Sequence, residues 1–258
     1  VGKTTTAVNL TASLAAKRKH VLLIDLDPQG NATSGTGVDK NALDLTIADV
    51  LLDGVALSEA IVSSPAGFDV IGANRDLAGM DITLMSKTNS HELFKTAMAQ
   101  LAKDQIATNK SAYDYVIIDC APSLNLLTIN ALVATDSVII PMQCEYYALE
   151  GLADLSNTID RINHSLNPNL QIKGVLRTLY DPRSTLTNDV SNELIAHFGD
   201  KVFETVIPRN IRLAEAPAHG MPILSYEKSS KGAIAYLNLA AELVKHSKKY
   251  KKLKGQSA

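Results

Sequence analysis

The sequence predicts an α/β protein in which one doubly wound, mostly parallel sheet lies as a single layer between helices. Apolar runs that end in Asp or Pro alternate with segments of helical periodicity, which is typical of a parallel sheet covered on both faces. The runs are continuous rather than alternating in polarity, as expected for strands buried on both faces. Hydrophobic residues make up 46% of the 258 residues and charged residues 20%, which is ordinary for a protein with a large core.

Five segments are predicted as strands. "VLLIDLD" at 21–27 stops at "PQGN", and "YDYVIIDCAPS" at 113–123 repeats the pattern. The other three segments are 136–143, 171–181 and 201–210.

Three segments are predicted as helices, at 5–17, 91–106 and 231–244, because apolar residues recur there at helical spacing. Residues 40–66 show no clear pattern, and no linker or internal repeat divides the chain, so we expect a single domain over 1–258. The apolar positions expected to face the core are Val8, Leu10 and Leu14 in the first helix, Leu93, Phe94, Ala97, Met98, Leu101 and Ala102 in the second, and Ile234, Leu237, Ala241 and Val244 in the third.

Charge, cysteine content and hydropathy give no sign of nucleic-acid binding by overall charge, of a metal site or of a membrane span. The net charge is only -2, so any contact with nucleic acid must come from a local patch. Cys120 and Cys144 lack metal-ligand spacing, and a reduced, cytosolic setting is expected. No apolar run approaches the ~18 residues of a membrane span. The basic tail at about 245–258 lacks the apolar face of a membrane-binding helix and is expected to be solvated.

"VGKTTTAVNL" at the start matches the end of a phosphate-binding loop, G-x-x-x-x-G-K-[ST], followed by a helix. Gly2 would let the backbone approach phosphates, Lys3 would place a cation on the outer phosphates, and the Thr4 hydroxyl would bind magnesium. The tripeptide alone is also compatible with chance. With the features that follow, it predicts a fold like that of the P-loop NTPases.

Two predicted strands end in Asp at the sheet edge where ligands gather in parallel sheets. Asp119 follows "YVIID" in the manner of a Walker B motif, whose carboxylate helps to hold Mg²⁺. Asp27 ends "LLIDLD" and is placed to orient the water that attacks a γ-phosphate. Each could instead cap a turn. Asp25 points to the same face as Asp27 and receives no separate role.

These motifs, with "VLLIDLDPQGNATSGTG", "VIIPMQCEYYALEGL" and "TVIPRNIRLAEAPAHGMPILSYE", resemble in the same order the ParA/Soj type of chromosome- and plasmid-partition ATPase. The resemblance spans nearly the whole chain and is densest at 1–37 and 113–236. It places the chain in the deviant Walker A ATPases. It implies ATP and Mg²⁺ as cofactors, an ATP-dependent homodimer, non-specific binding of double-stranded DNA, a ParB-like partner that stimulates hydrolysis, and a place on the nucleoid.

The resemblance also assigns roles at the nucleotide. Gly2, Lys3, Thr4 and Thr5 correspond to the phosphate- and magnesium-binding end of the loop, Asp27 to the Asp on which hydrolysis depends, and Asp119 to the Walker B Asp. It implies that Pro208 and Asn210 contribute to the adenine pocket.

Arg183 and Arg212 fall where the resemblance implies DNA-contacting arginines, and DNA held without sequence preference is bound through its phosphates. Each could instead be a solvated surface charge or a partner for Glu215 or Asp189.

One departure concerns the start of the loop. The family's signature lysine and first loop glycines would precede Val1, as would the strand that leads into the loop. That strand is central in such sheets, and without it neighbouring strands would lack hydrogen-bond partners. We therefore expect the sequence to be part of a longer protein.

Two other functions fit the nucleotide motifs. A membrane-surface regulator of cell division, similar to MinD, would need an apolar-faced tail. A metal-cluster reductase or carrier on the same fold would need cysteines that bridge a dimer, for which Cys120 is the only candidate.

Overall fold

The computed structural model describes residues 2–255, with side chains described as far as residue 247. Most of the predicted tail therefore lies outside the described side chains. The strands are β1 (Val21–Leu26), β2 (Val62–Ser63), β3 (Asp69–Ile71), β4 (Tyr115–Cys120), β5 (Ser137–Gln143) and β6 (Gln171–Thr178). The helices are α1 (Lys3–Ala16), α2 (Asn31–Gly35), α3 (Ile47–Asp53), α4 (Met80–Met85), α5 (Leu93–Ala107), α6 (Leu126–Ala134), α7 (Ala148–Ser165), α8 (Thr185–Phe198), α9 (Ile211–Glu215), α10 (Ile223–Tyr226) and α11 (Lys231–Gly255).

The first four strands form one sheet in the order β2-β3-β1-β4. β1 is central and pairs in parallel with β3 and β4, so that Leu23 lies opposite Val70 on one side and Ile117 on the other. Only β2 runs antiparallel, at the edge. β5 and β6 pair in parallel with each other. The predicted α/β class with a mostly parallel sheet is confirmed.

The two groups of strands do not pair with each other. β4 and β5 lie beneath the same helix, because Ile117 and Ile139 both pack against the apolar cluster that contains Leu10 and Leu14 of α1. Most residues of the two strands are only half-buried. The single sheet expected from the sequence is thus interrupted between β4 and β5 among the described residues.

Both faces of the four-stranded sheet are covered. Val21 and Leu23 pack on the side of α1 and α11, whereas Leu22 and Ile24 pack on the side of α3, α5 and α6. This alternation explains why β1 is apolar apart from Asp25: every side chain of the strand is buried. A third cluster joins β5 and β6 to α7 and α8.

The main apolar residues of the first predicted helix, Val8, Leu10 and Leu14, are all buried in α1. In α5, Phe94 and Leu101 are buried and Leu93, Ala97 and Met98 partly so, but Ala102 is exposed.

The face predicted for α11 is wrong. Ile234 is 49% exposed and Ala241 is exposed, and the buried stripe instead contains Tyr236, Ala240 and Leu243. Apolar residues occur on two sides of this helix, so spacing alone fits either stripe. The buried Tyr236 hydroxyl meets Thr6 of α1 at 3.2 Å, and this packing selects the stripe.

The predicted strand at 201–210 is also wrong. This segment runs beside β6 and forms only isolated bridges, Val175 with Val202 and Tyr180 with Pro208. The Glu242 carboxylate accepts the amides of Glu204 and Thr205 at 2.8 and 3.0 Å, which removes both amides from any ladder. The apolar pattern was that of a strand, and the Phe203 and Ile207 amides do donate to β6 carbonyls at 3.0 and 2.9 Å. The Glu242 side chain, distant in sequence, takes two of the amides between them and so interrupts the ladder.

Candidate nucleotide site

The start of α1 exposes backbone amides to the sheet edge. Gly2 caps the helix in the left-handed conformation (φ +83°), which a residue with a side chain rarely adopts, and no side chain caps the first turn. The first turn also contains no acidic residue. Its amides and the positive end of the helix dipole are therefore available to an anion.

These amides border a cavity of about 270 Å³. It brings together both ends of the predicted site, the loop at the start of α1 and the ends of β1 and β4. The lining residues are Gly2, Lys3, Thr4, Thr5, Asp27, Cys120 and Pro122. All four predicted loop residues and Asp27 therefore share one cavity.

Asp119, the last residue but one of β4, is 2% exposed and does not itself line the cavity, but it is hydrogen-bonded to Thr4, which does. Burial raises the pKa of its carboxyl to about 7; the Thr4 hydroxyl and Lys3 lower it, while the charges of Asp25 and Asp27 raise it. Its Oδ2 atom is buried without a hydrogen-bond partner.

An orphaned carboxylate oxygen beside a threonine hydroxyl fits a hard cation, because Mg²⁺ prefers oxygen ligands. No group of three or more His, Cys, Asp or Glu within the described residues is arranged to hold a metal. A magnesium ion held by one carboxylate, one hydroxyl and substrate phosphates needs no such group. Thr4 and Asp119 are the residues that would hold it.

Asp27 begins the turn that follows β1 and is half-buried. Its Oδ1 accepts the Gln29 amide at 2.9 Å, and its carbonyl accepts the Gly30 amide at 2.8 Å. The capping role considered from the sequence is therefore real. It coexists with the position of Asp27 on the cavity wall.

Asp25 is the site residue that sequence reasoning left without a role. It is fully buried, and its carboxylate accepts hydrogen bonds from the loop that carries Asp27. Its acidic side chain within an otherwise apolar strand was the available signal.

Pro208 and Asn210 do not line the cavity. Pro208 bridges to Tyr180, and the Asn210 side chain caps α9 by accepting the Leu213 amide at 3.1 Å. Their assignment to the adenine pocket stays a prediction.

Arg183 and Arg212 are exposed, with 88% and 53% of their side chains accessible. Arg183 donates two hydrogen bonds to Asp181, at 3.0 and 2.9 Å, rather than pairing with Asp189. Arg212 pairs with Glu215 at 2.8 Å, as the alternative reading of the sequence proposed. The Arg183 guanidinium lowers the pKa of the Asp181 carboxyl to about 2.

Cys120 and Cys144 are free thiols, the first half-buried and the second buried. Burial raises the pKa of Cys120 to about 12 and also raises that of Cys144. Both are therefore poor thiolate donors at neutral pH.

Comparison with known proteins places this site in a family. The family described as "AAA domain" matches residues 1–172. The chain is 50% identical over 244 residues to the sporulation initiation inhibitor protein Soj of Bacillus subtilis (strain 168), covering 94% of this chain and 93% of that protein. It is 46% identical over 245 residues to the chromosome partitioning protein ParA of Caulobacter vibrioides (strain NA1000 / CB15N), covering 95% and 90%.

The chain belongs to the ParA/Soj family of chromosome-partitioning ATPases. The expectations of an ATPase, and of ATP and Mg²⁺ as its cofactors, are confirmed.

A solved structure supports the fold of this ParA/Soj-family chain. Cobyrinic acid a,c-diamide synthase from Mycobacterium smegmatis superposes with a TM-score of 0.80 at 37% identity, covering 96% of this chain and 90% of that one. That protein was solved with bound ADP and magnesium. The predicted likeness to P-loop NTPases is confirmed.

Proposed function

We propose that this protein is an ATP-switched DNA-partitioning ATPase. ATP binding joins two copies, the dimer holds double-stranded DNA without sequence preference, and hydrolysis stimulated by a ParB-like partner releases it. It would thus act on the nucleoid. The observation that carries the proposal is that the nucleotide loop lies beside the end of β6, which leads to Arg183 and is hydrogen-bonded to the segment that leads to Arg212.

The contact between the two sites is direct. Thr178, the last residue of β6, lies beside Gly2: a β-carbon on Gly2 would be 3.5 Å from the Thr178 hydroxyl. Leu179 follows with φ +51°, a left-handed conformation that costs a residue with a side chain of order 1–2 kcal/mol. A strained residue therefore separates the nucleotide loop from the arginine segment.

The segment that follows β6 is hydrogen-bonded to the segment that precedes α9. The Tyr180 amide donates to Ile207 O at 3.0 Å, and the Arg209 amide donates to Tyr180 O at 3.3 Å. Arg183 follows one of these paired segments and Arg212 the other, so both belong to the same end of the molecule.

The acidic partners of these arginines do not preclude DNA binding. Exposed ion pairs are screened by solvent and contribute little to stability, so phosphates can replace Asp181 and Glu215 at little cost. One chain offers few contacts and should bind weakly. A dimer doubles them on one duplex, which raises affinity through multivalency.

The residues around the cavity support a route by which the same chain would hydrolyse ATP. Lys3 and the amides at the start of α1 would hold the phosphates, Thr4 and Asp119 would hold the metal, and Asp27 would orient the attacking water. Bound Mg²⁺ supplies charge stabilisation on the phosphate oxygens.

We also propose that the whole chain forms one domain, completed by a further strand between β4 and β5. The interruption of the sheet there, and the half-buried side chains of Ile117, Ile118 and Ile139, support this. A native protein whose first residue, measured by mass spectrometry, is Val1 would contradict it.

DNA binding tests the proposal most directly. In the presence of a non-hydrolysable ATP analogue, the double variant Arg183→Ala/Arg212→Ala should lose DNA affinity and show a shallower dependence on salt, with nucleotide affinity unchanged. Arg75→Ala, at an exposed arginine on another segment, is the matched control. Unchanged DNA retention by the double variant would refute the role of Arg183 and Arg212 in DNA binding. Binding to anionic vesicles instead of DNA would favour the MinD-like function.

No helix within residues 2–255 is long and apolar enough to cross a membrane.

A further inference from the structure

Asp25 is a carboxylate enclosed within β1, with 0% of its surface exposed. Its Oδ1 accepts the Asp27 amide at 3.0 Å. Its Oδ2 accepts both the amide and the hydroxyl of Thr33, each at 2.8 Å. One side chain therefore holds both ends of the loop at 27–33, which carries the carboxylate on the cavity wall.

Thr33 extends this arrangement to the neighbouring strand. It is fully buried, and while its hydroxyl donates to Asp25 it accepts the Ala73 amide at 3.0 Å, just beyond the end of β3. Both hydrogen bonds of this hydroxyl, the one that it donates and the one that it accepts, join the loop to the sheet. A valine at position 33 would match its shape and remove both bonds.

The loop packs closely against the sheet at two glycines. A β-carbon on Gly30 would lie 2.4 Å from the Ala73 carbonyl oxygen, and one on Gly72 would lie 2.8 Å from Thr33 Cγ2. The hydrogen bond that the Gly30 amide donates to the Asp27 carbonyl sets the shape of the turn. The bonds from Asp25 and Thr33 set where that turn lies relative to β1 and β3.

We infer that Asp25 and Thr33 are positioning residues for ATP hydrolysis: they set the place of the Asp27 carboxylate at the cavity and do not touch the nucleotide. Asp25 does not line the cavity. We call the hydrogen bonds of Asp25 and Thr33 to the loop at 27–33 the clamp. Because a displacement of about 1 Å at a catalytic group can cost about 100-fold in rate, the clamp controls turnover more than affinity. The inference rests on the catalytic role proposed for Asp27.

Steady-state ATPase kinetics on the full chain test it. Thr33→Val should lower kcat by about 10- to 100-fold and leave KM for ATP within about twofold. Thr33→Ser keeps the hydroxyl and should restore kcat to within about threefold of the unmodified protein. Asp25→Asn places an amide NH₂ against groups that are already donors and should behave like Thr33→Val; it supplies the same test where Thr33→Val does not fold.

A double-mutant cycle separates positioning from general damage. In an Asp27→Ala background, Thr33→Val should cause no further loss of the residual rate, because it acts through Asp27. An additional loss there, a rise in KM equal to the fall in kcat, or an unchanged kcat in Thr33→Val would each overturn the inference.

The Asp27→Ala variant distinguishes a failure of the positioning role of Asp25 and Thr33 from a failure of the catalytic role of Asp27. If Asp27→Ala is inactive while Thr33→Val and Asp25→Asn are fully active, the clamp is refuted and the role of Asp27 stands. If Asp27→Ala hydrolyses ATP at the normal rate, the role of Asp27 is refuted and the clamp falls with it.

Discussion

Replacing Asp119 by Asn should make the metal-free protein more stable at alkaline pH and abolish its stabilisation by Mg²⁺-ATP. The carboxyl is 2% exposed, has an orphaned oxygen and has its pKa raised from 3.8 to about 7. At about 1.36 kcal/mol per pH unit, the ionised form costs the folded protein about 4 kcal/mol above pH 7. An uncharged amide of the same shape avoids this cost.

The sign follows from proton binding. Between pH 4 and 7 this carboxyl is protonated in the folded protein and ionised in the unfolded chain, so unfolding releases a proton and stability falls as pH rises. The free energy of unfolding of Asp119→Asn should therefore exceed that of the unmodified protein by an amount that grows with pH. The difference should be near zero at pH 4 and about 4 kcal/mol at pH 8.

Urea unfolding at pH 4.5, 6 and 8 in EDTA measures the difference. Asp200→Asn, at an exposed carboxylate, is the control and should parallel the unmodified protein. Mg²⁺-ATP should then stabilise the unmodified protein and the control but not Asp119→Asn, because ligand binding to the folded state adds to its stability. A constant difference between pH 4.5 and 8 would refute the burial argument, and normal stabilisation of Asp119→Asn by Mg²⁺-ATP would refute the metal role.

Three further predictions use other parts of the site. Gly30→Ala should destabilise the protein by about 3 kcal/mol in urea unfolding, since a β-carbon there meets a backbone oxygen at 2.4 Å, whereas Gly54→Ala, also left-handed but open, should cost about 1 kcal/mol; equal costs would contradict the close packing. At pH 8 the thiol of Cys120, with its pKa raised to about 12, should react with iodoacetamide far more slowly than a free thiol and about tenfold faster per added pH unit; rapid, pH-independent labelling would contradict the raised pKa. Tyr236→Phe should cost about 1–2 kcal/mol in thermal unfolding, because it leaves the buried Thr6 hydroxyl unpaired, and a neutral result would argue against the α1–α11 hydrogen bond.

Local motifs were well predicted from sequence. β1, β4 and β5 lie within the predicted segments, and α1 begins directly at the predicted loop. A continuous apolar run that ends in Asp predicts a strand, and a glycine before a periodic segment predicts a helix start, because both signals depend only on residues that are close in the chain. For the same reason the loop residues Gly2 to Thr5 and Asp27 could be assigned to one site before any strand order was known.

Long-range contacts decided the rest. The choice of the buried stripe of α11 depended on Tyr236 meeting Thr6, 230 residues away in sequence, and the loss of the strand at 201–210 depended on the Glu242 carboxylate. Sequence spacing permits both outcomes, because periodicity is a property of one element and packing a property of two.

By itself, then, the sequence predicted that a triphosphate and a metal would bind at a helix start beside two acidic strand ends, and it was enough to indicate ATP and Mg²⁺ as cofactors. Only the tertiary structure decided the surroundings of each acidic group: Asp119 is buried with an orphaned oxygen, Asp27 lines the cavity, and Asp25 is hydrogen-bonded to Thr33. The physical reason is that a carboxylate's role follows from its partners and its access to solvent, and both are set by chain segments that meet only on folding.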